Sequence, residues 1–257
     1  MKKIIRFLGI MLFVVILSSC SNSGADSKIG KDLSSKAVDR VAITNARYAG
    51  RYTISEKKGM DRFVSYLQKA KIATEDSGLD PDFVFDIYSG DVSLGKYKYI
   101  AGLTDSDKAN LIDMNGKLYR VSRSIEDVFM KRLMKKNDLK NVPEYYISLI
   151  NTIIEKTQIP GGSKIVADIG NDYAVTKSIT SVEQESILKS INDRGITVTF
   201  PSEKEKYSYS IEVRTGKYSN TSSEAIVTVR GKEQKVTKYE VSGNYKSGDW
   251  EFHIKFK

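Results

Sequence analysis

A chain of 257 residues with 40% apolar side chains can build one large or two small cores, and it is too apolar for wholesale disorder. Its formal charge of +9 comes from lysines interleaved with acids, with no arginine stripe among stacked aromatics, so composition argues against nucleic acid as a partner. One cysteine and one histidine exclude an internal disulfide and a transition-metal cluster, and no cofactor is expected.

The chain opens on Lys2, Lys3 and Arg6, followed by an apolar run from Phe7 to Leu17. Eleven residues fall short of the roughly twenty that cross a hydrocarbon core, so the run reads as a secretory signal rather than a permanent span. It closes on Leu17-Ser18-Ser19-Cys20, which brings small residues directly to the sole cysteine. This ending resembles the bacterial lipoprotein signal, of Gram-positive type: an aliphatic residue, two small ones, then cysteine. Ser19 stands where glycine or alanine is commoner. The resemblance implies cleavage before Cys20 and a diacylglyceryl group on its sulfur, which makes lipidation at Cys20 the one site residue expected. Each buried lipid methylene contributes about 0.8 kcal/mol, so two acyl chains anchor where one does not. The competing reading is an ordinary secreted protein with an incidental cysteine, which would leave a reactive thiol outside the cell. Loss of residues 1–19 removes three cations and no acid, leaving +6. Residues 20–36, rich in Ser, Gly, Lys and Asp, read as a flexible tether. No later apolar run is long enough to cross a bilayer.

A first folded block is expected over residues 37–136. Val41 and Ile43 mark one strand, and Tyr48 to Ile54 another, with Gly50 allowing a turn or bulge. Met60, Phe63, Val64 and Leu67 then recur at helical spacing within Lys57 to Ala70. After an acidic loop from Thr74 to Asp82, Phe83, Phe85 and Ile87 alternate as one face of a strand. A turn at Ser89-Gly90-Asp91 leads to a strand at Tyr97 to Ala101. Asn115-Gly116, between Ala109 to Met114 and Lys117 to Val121, predicts a type I′ hairpin. Ser124 and Asp127 predict a helix start, with Ile125, Val128, Phe129 and Leu133 as its buried stripe. This order, with its Asn-Gly-Lys-Leu-Tyr-Arg-Val-Ser ending, resembles small, uncharacterised surface lipoproteins of bacilli over roughly Val38 to Leu133, and the resemblance carries over no catalytic residue.

Lys135 to Val142 is a charged connector, and a second block is expected over residues 143–257. Pro143 suits a first helical turn, and Tyr146, Leu149, Ile150 and Ile153 make the apolar face up to Pro160-Gly161-Gly162. Ile165 to Ser178 fits a strand or a helix equally. Ser181-Val182-Glu183-Gln184 reads as a capping box and Gly195 as a helix end, with Ile187, Leu188 and Ile191 facing inward. From Ile196 the period is two: Tyr207, Tyr209, Ile211 and Val213; then Ile226, Val227 and Val229; then Thr237, Tyr239 and Val241; then Trp250, Phe252, Ile254 and Phe256. Helices followed by four or five long antiparallel strands give an α+β fold class, two small domains each pairing an antiparallel sheet with helices. The second block resembles cystatin-like or nuclear-transport-factor-like cones, in which a curved sheet wraps a helix.

Chemistry is sparse. Glu75, Asp76, Asp80 and Asp82, like Asp105 and Asp107, offer oxygens but lack the spacing of a calcium loop. His253, between Glu251 and Lys255 on a polar strand face, reads as a surface histidine. No serine elbow or phosphate loop is present, and no catalytic or metal residue is assigned. Among fifteen tyrosines, Tyr97, Tyr99, Tyr145, Tyr146, Tyr207 and Tyr209 are candidates for an exposed interface, against half-buried packing on strands. The expectation is a non-enzymatic lipoprotein held through Cys20 at the outer face of the cell membrane, binding or scaffolding a protein or cell-envelope partner. Two alternatives remain: a ligand-binding or catalytic pocket in the C-terminal cone, and envelope or conjugation-related surface recognition. The pocket loses ground if Trp250, Phe252 and the helix of Ile187 and Ile191 fill the concave side.

Overall fold

The computed structural model describes Ile29, Leu33 and residues 37–134, 139–192, 197–200, 206–231 and 235–257. The expected leader, Cys20 and the expected helix end at Gly195 lie outside the described residues. The fold is α+β, with two sheets each packed against helices.

The N-terminal sheet has seven strands. They are β1 (Arg40–Asn45), β2 (Arg51–Ile54), β3 (Lys71–Ile72), β4 (Phe83–Ser89), β5 (Val92–Tyr99), β6 (Leu111–Asp113) and β7 (Leu118–Arg120). Their order is β2-β1-β4-β5-β6-β7-β3, antiparallel throughout. Alternation places Phe83, Phe85 and Ile87 on the buried face. Helix α1 (Lys57–Gln68) meets that face through Phe63 and Leu67. Phe63 lies edge-on to Phe85 with ring centres 4.9 Å apart, and Phe85 stacks on Tyr99 at 5.0 Å. Phe129 closes the cluster edge-on to Phe83, also at 5.0 Å.

Two local expectations are corrected here. Gly116 has φ +83°, but Asn115 is not in the left-handed region, so the hairpin is not type I′. Instead Gly116 N donates to the Asp113 carbonyl, and the Asp113 carboxylate takes the amides of Asn115 and Lys117 at 2.8 and 2.9 Å. The Asp113 side chain thus favours a type I turn ending in a left-handed glycine, the three-residue alternative to the tighter hairpin. The helix expected from Ser124 is a 3-10 helix (Arg123–Val128) followed by one turn, α2 (Met130–Leu133), and its cap is Ser122, which accepts from Ser124 N.

The C-terminal unit begins with α3 (Val142–Thr157), carrying Pro143 in its first turn and ending at Gln158 in the left-handed region. The ambiguous stretch resolves into both elements, β8 (Lys164–Asp168) and a single turn α4 (Tyr173–Thr176). After α5 (Ser181–Asn192) come β9 (Thr197–Thr199), β10 (Tyr209–Tyr218), β11 (Ser222–Arg230), β12 (Val236–Lys246) and β13 (Asp249–Phe256). The sheet order is β13-β12-β11-β10-β8-β9. The four long strands are antiparallel as expected, while β8 pairs parallel with both β10 and β9. Parallel pairing follows from the helical crossover between β8 and β9. Residues before α3 already belong to this unit: the Asn141 carbonyl accepts from Trp250 Nε1 at 3.3 Å, and Lys140 N donates to Asn220 Oδ1 at 2.8 Å.

The apolar face of this sheet is filled. Tyr145 of α3 sits edge-on to Trp250 with ring centres 5.3 Å apart, and Phe252, Ile187 and Ile191 pack in the same core. Of the two readings of the tyrosines, the structure favours packing. Tyr97, Tyr99, Tyr145 and Tyr146 are buried, and only Tyr207 of the six is exposed. Their rings carry enough apolar area to be drawn into the two cores.

Of the residues expected as tether, the two described ones are part of the folded unit. Ile29 and Leu33 are helical, one turn apart, and buried against the N-terminal core. Two apolar residues at i and i+4 are too few to stand out in a polar stretch. Leu33→Ala therefore lowers unfolding free energy by about 2–5 kcal/mol in a urea titration, the range for truncating a buried leucine. A change within error would return Leu33 to the tether.

Candidate functional site

The two units meet at a polar joint built around Asp82, which sits just ahead of β4 and is 1% exposed. Oδ1 accepts from Arg47 Nη2 at 2.6 Å and from Ser181 N at 2.8 Å; Oδ2 accepts from Ala101 N at 2.8 Å and Ser181 Oγ at 3.0 Å. Arg47 lies in the bend after β1, Ala101 just beyond β5, and Ser181 is the first residue of α5. A carboxylate of one unit thus occupies the helix N-terminus of the other, where unpaired amides favour negative charge. Arg47 Nη2 also donates to the Ile179 carbonyl at 2.7 Å, so the guanidinium ties the units a second time. Burial pushes the Asp82 carboxyl above the usual carboxylate range, while Arg47 and the donors of Ala101 and Ser181 pull it back.

This joint depends on a one-residue shift from the expected capping box. Glu183 Oε2 accepts from Thr180 N at 2.7 Å, and Thr180 Oγ1 accepts from Glu183 N at 3.3 Å. The box is therefore Thr180–Glu183 rather than Ser181–Gln184. Thr180 takes the cap, which frees the Ser181 hydroxyl to reach Asp82.

A second buried carboxylate lies close by within the C-terminal unit. Asp172, 2% exposed, accepts from Tyr146 OH at 2.7 Å, Thr215 Oγ1 at 2.5 Å and Thr215 N at 2.8 Å. Burial, followed by Asp172 itself, holds the Tyr146 hydroxyl well above the usual phenol range, so it stays protonated and donates. Tyr48 of the N-terminal unit acts on the same hydroxyl more weakly.

Above these groups a cleft of about 560 Å³ opens between the units, lined by Arg47, Tyr48, Ala49, Tyr173, Ala174 and Lys177. Tyr48 and Tyr173 meet edge-on across it, with ring centres 5.7 Å apart. A second open cavity of about 580 Å³ lies on the polar face of the C-terminal sheet, lined by His253, Lys255, Arg214, Glu224 and Glu240 among others. His253 lies there beside Ser242 of the paired strand, as a surface histidine. The acidic loops do not converge: Asp76 Oδ1 takes the amide of Gly78 at 3.0 Å, Asp105 Oδ1 that of Asp107 at 3.1 Å, and Asp82 faces the joint. No group of three or more His, Cys, Asp or Glu side chains among the described residues is arranged to hold a metal ion.

Sequence reasoning considered Asp82 only as a calcium ligand and passed over Arg47, Tyr48, Tyr173 and Lys177. These residues become neighbours only through contacts more than a hundred positions apart, and no local pattern announces them.

Residues 34–140 match the family model described as "YhfM protein", an uncharacterised family. The matched span covers the whole seven-stranded sheet with α1, the 3-10 helix and α2. No curated protein and no solved structure matches the chain.

Arg47→Met removes the cation paired with Asp82 and leaves a buried carboxylate uncompensated, which costs about 3–5 kcal/mol. Because Ser181 binds the same carboxylate, a double-mutant cycle of Arg47→Met with Ser181→Ala in urea titrations is expected to show a coupling of about 0.5–3 kcal/mol. Strict additivity would mean that the joint is not one interaction.

Proposed function

We propose that this chain is a lipid-anchored extracytoplasmic protein, held through Cys20 at the outer face of the cell membrane, where its two joined units act as a binding or scaffolding module for an envelope partner. The observation that carries the reading is the Leu17-Ser18-Ser19-Cys20 ending of a short, positively led apolar run, in a chain with no other cysteine. A thiol with no disulfide partner has a chemical use there as the point of acylation. The match of residues 34–140 agrees in extent with the block that resembles small surface lipoproteins. No helix among the described residues is long and apolar enough to cross a membrane.

The packing favours a binding module over the alternative of a ligand inside the C-terminal cone. The face on which such a ligand would sit is occupied by Tyr145, Trp250 and Phe252. The seating of α3 on four long antiparallel strands supports the cone-like reading of this unit, from which the parallel pair β8–β9 departs. With both apolar faces packed, binding falls to the polar sheet face and to the cleft between the units.

The test is the chemistry of residue 20. Wild type purified from membranes is expected to begin at Cys20, carry the mass of a diacylglyceryl group there and partition into detergent. Cys20→Ala is expected to keep its leader and lose the lipid mass. A bare thiol at Cys20 in the native protein, or a retained leader, overturns the proposal.

A further inference from the structure

Arg47 is half-buried, with part of its hydrogen-bonding capacity unmet. Only Nη2 is engaged, shared between Asp82 and the Ile179 carbonyl. Nε and Nη1 are buried without a partner, two of the four buried side-chain nitrogens or oxygens so placed among the described residues. Buried polar groups are nearly always paired, because an unmade hydrogen bond in a dry setting forfeits the full hydration of the group. These two nitrogens carry three N–H donors between them. They belong to a residue that lines the inter-unit cleft, beside Lys177, an exposed lysine without an ion-pair partner among the described residues.

The rest of the cleft wall is aromatic and small. Tyr48 and Tyr173 supply rings, Ala49 and Ala174 add no charge, and no acid among the described residues lines the space. Both nearby carboxylates already have donors on each oxygen. Tyr173 is 56% exposed: its ring meets Tyr48 and its hydroxyl donates to Asn171 Oδ1 at 3.2 Å. Two cations beside two aromatic rings, in a space of about 560 Å³, match a small ligand with an oxyanion at one end and a ring at the other.

We propose that the cleft between the two units binds a small ring-bearing oxyanion, a carboxylate or a phosphate ester, with Arg47 and Lys177 taking the charged group and Tyr48 and Tyr173 the ring. The Arg47 guanidinium carbon lies 5.5 Å from the Tyr48 ring centre, so the Tyr48 ring turns aside to admit the oxyanion to Nη1. Because Asp82 keeps hold of Nη2, the guanidinium stays in place as the ligand enters. The site draws on both units, so an occupant also fastens the joint. The inference is independent of lipidation at Cys20, since it rests on the cleft alone.

The test is a titration of the full mature chain in detergent with phenyl phosphate, with benzoate, and with neutral benzyl alcohol, followed by calorimetry and by the tyrosine ring resonances. Saturable binding of either anion, with shifts at Tyr48 and Tyr173 and none with the alcohol, is the expected result. Whether the phosphate or the carboxylate binds more tightly identifies the class of oxyanion. Lys177→Gln, an exposed change that leaves the joint intact, is expected to weaken binding about three- to fivefold, as for a partly solvated ion pair. Tyr173→Ala is expected to weaken it about tenfold, the order of one aromatic contact. Absence of saturable binding by both anions, equal binding of benzyl alcohol, or anion binding that neither variant weakens overturns the proposal.

Discussion

A single buried carboxylate decides how the two halves of this molecule face each other. Asp82 receives four donors from three separate places: the bend after β1, the second residue after β5, and the first turn of α5. Such a centre adds little net stability, because withdrawing a carboxylate and a guanidinium from water costs about what their attraction returns. Its effect is on geometry. A sheared joint would strand a buried charge, so misaligned arrangements are heavily penalised while the aligned one is merely acceptable. The helix N-terminus sharpens this further, since Ser181 offers its amide and hydroxyl to the same group from fixed directions.

The joint has this importance because the two cores do not merge. One is an aromatic cluster around Phe63, Phe85, Tyr99 and Phe129; the other centres on α3 against the long strands, with Tyr145 and Trp250. Among the described residues, no strand of one sheet pairs with a strand of the other. Apolar burial is non-directional, so two separate cores leave the angle between units undefined. Hydrogen bonds with fixed partners supply that angle. Gly102 lies at the same place: it has φ +79°, and a Cβ built on it would stand 3.5 Å from Thr180 Oγ1. A side chain there would be strained by the backbone angle.

Most of the fold was legible because most of it obeys local periodicity. The alternation of Phe83, Phe85 and Ile87 and the helical spacing of Phe63 and Leu67 point to the buried faces that the structure shows. So do the four long C-terminal strands. The misreadings share one cause, a side chain with two possible partners. Asp113 can set a type I turn where Asn115-Gly116 suggests a tighter one, and Thr180 can take the cap that Ser181 also offers. Ile29 and Leu33 were hidden because only two positions carry the signal. The cleft was not legible at all: Arg47 and Tyr173 stand far apart in sequence, and each alone is an ordinary surface residue.

The larger cavity on the polar face of the C-terminal sheet shows why charge alone does not mark a site. Its lining includes Arg214, Glu224, Glu240 and Lys255, and the first three pair with charges just outside it. Arg214 pairs with Glu212 at 2.8 Å, Lys217 with Glu224 at 3.0 Å and Lys257 with Glu240 at 3.6 Å. Exposed pairs of this kind contribute little to stability. At the inter-unit cleft the arrangement is reversed. The acids are buried and fully engaged, while two cations remain at the wall with donors to spare. The same guanidinium that orients the two units is thus also the group with hydrogen-bonding capacity left for a ligand.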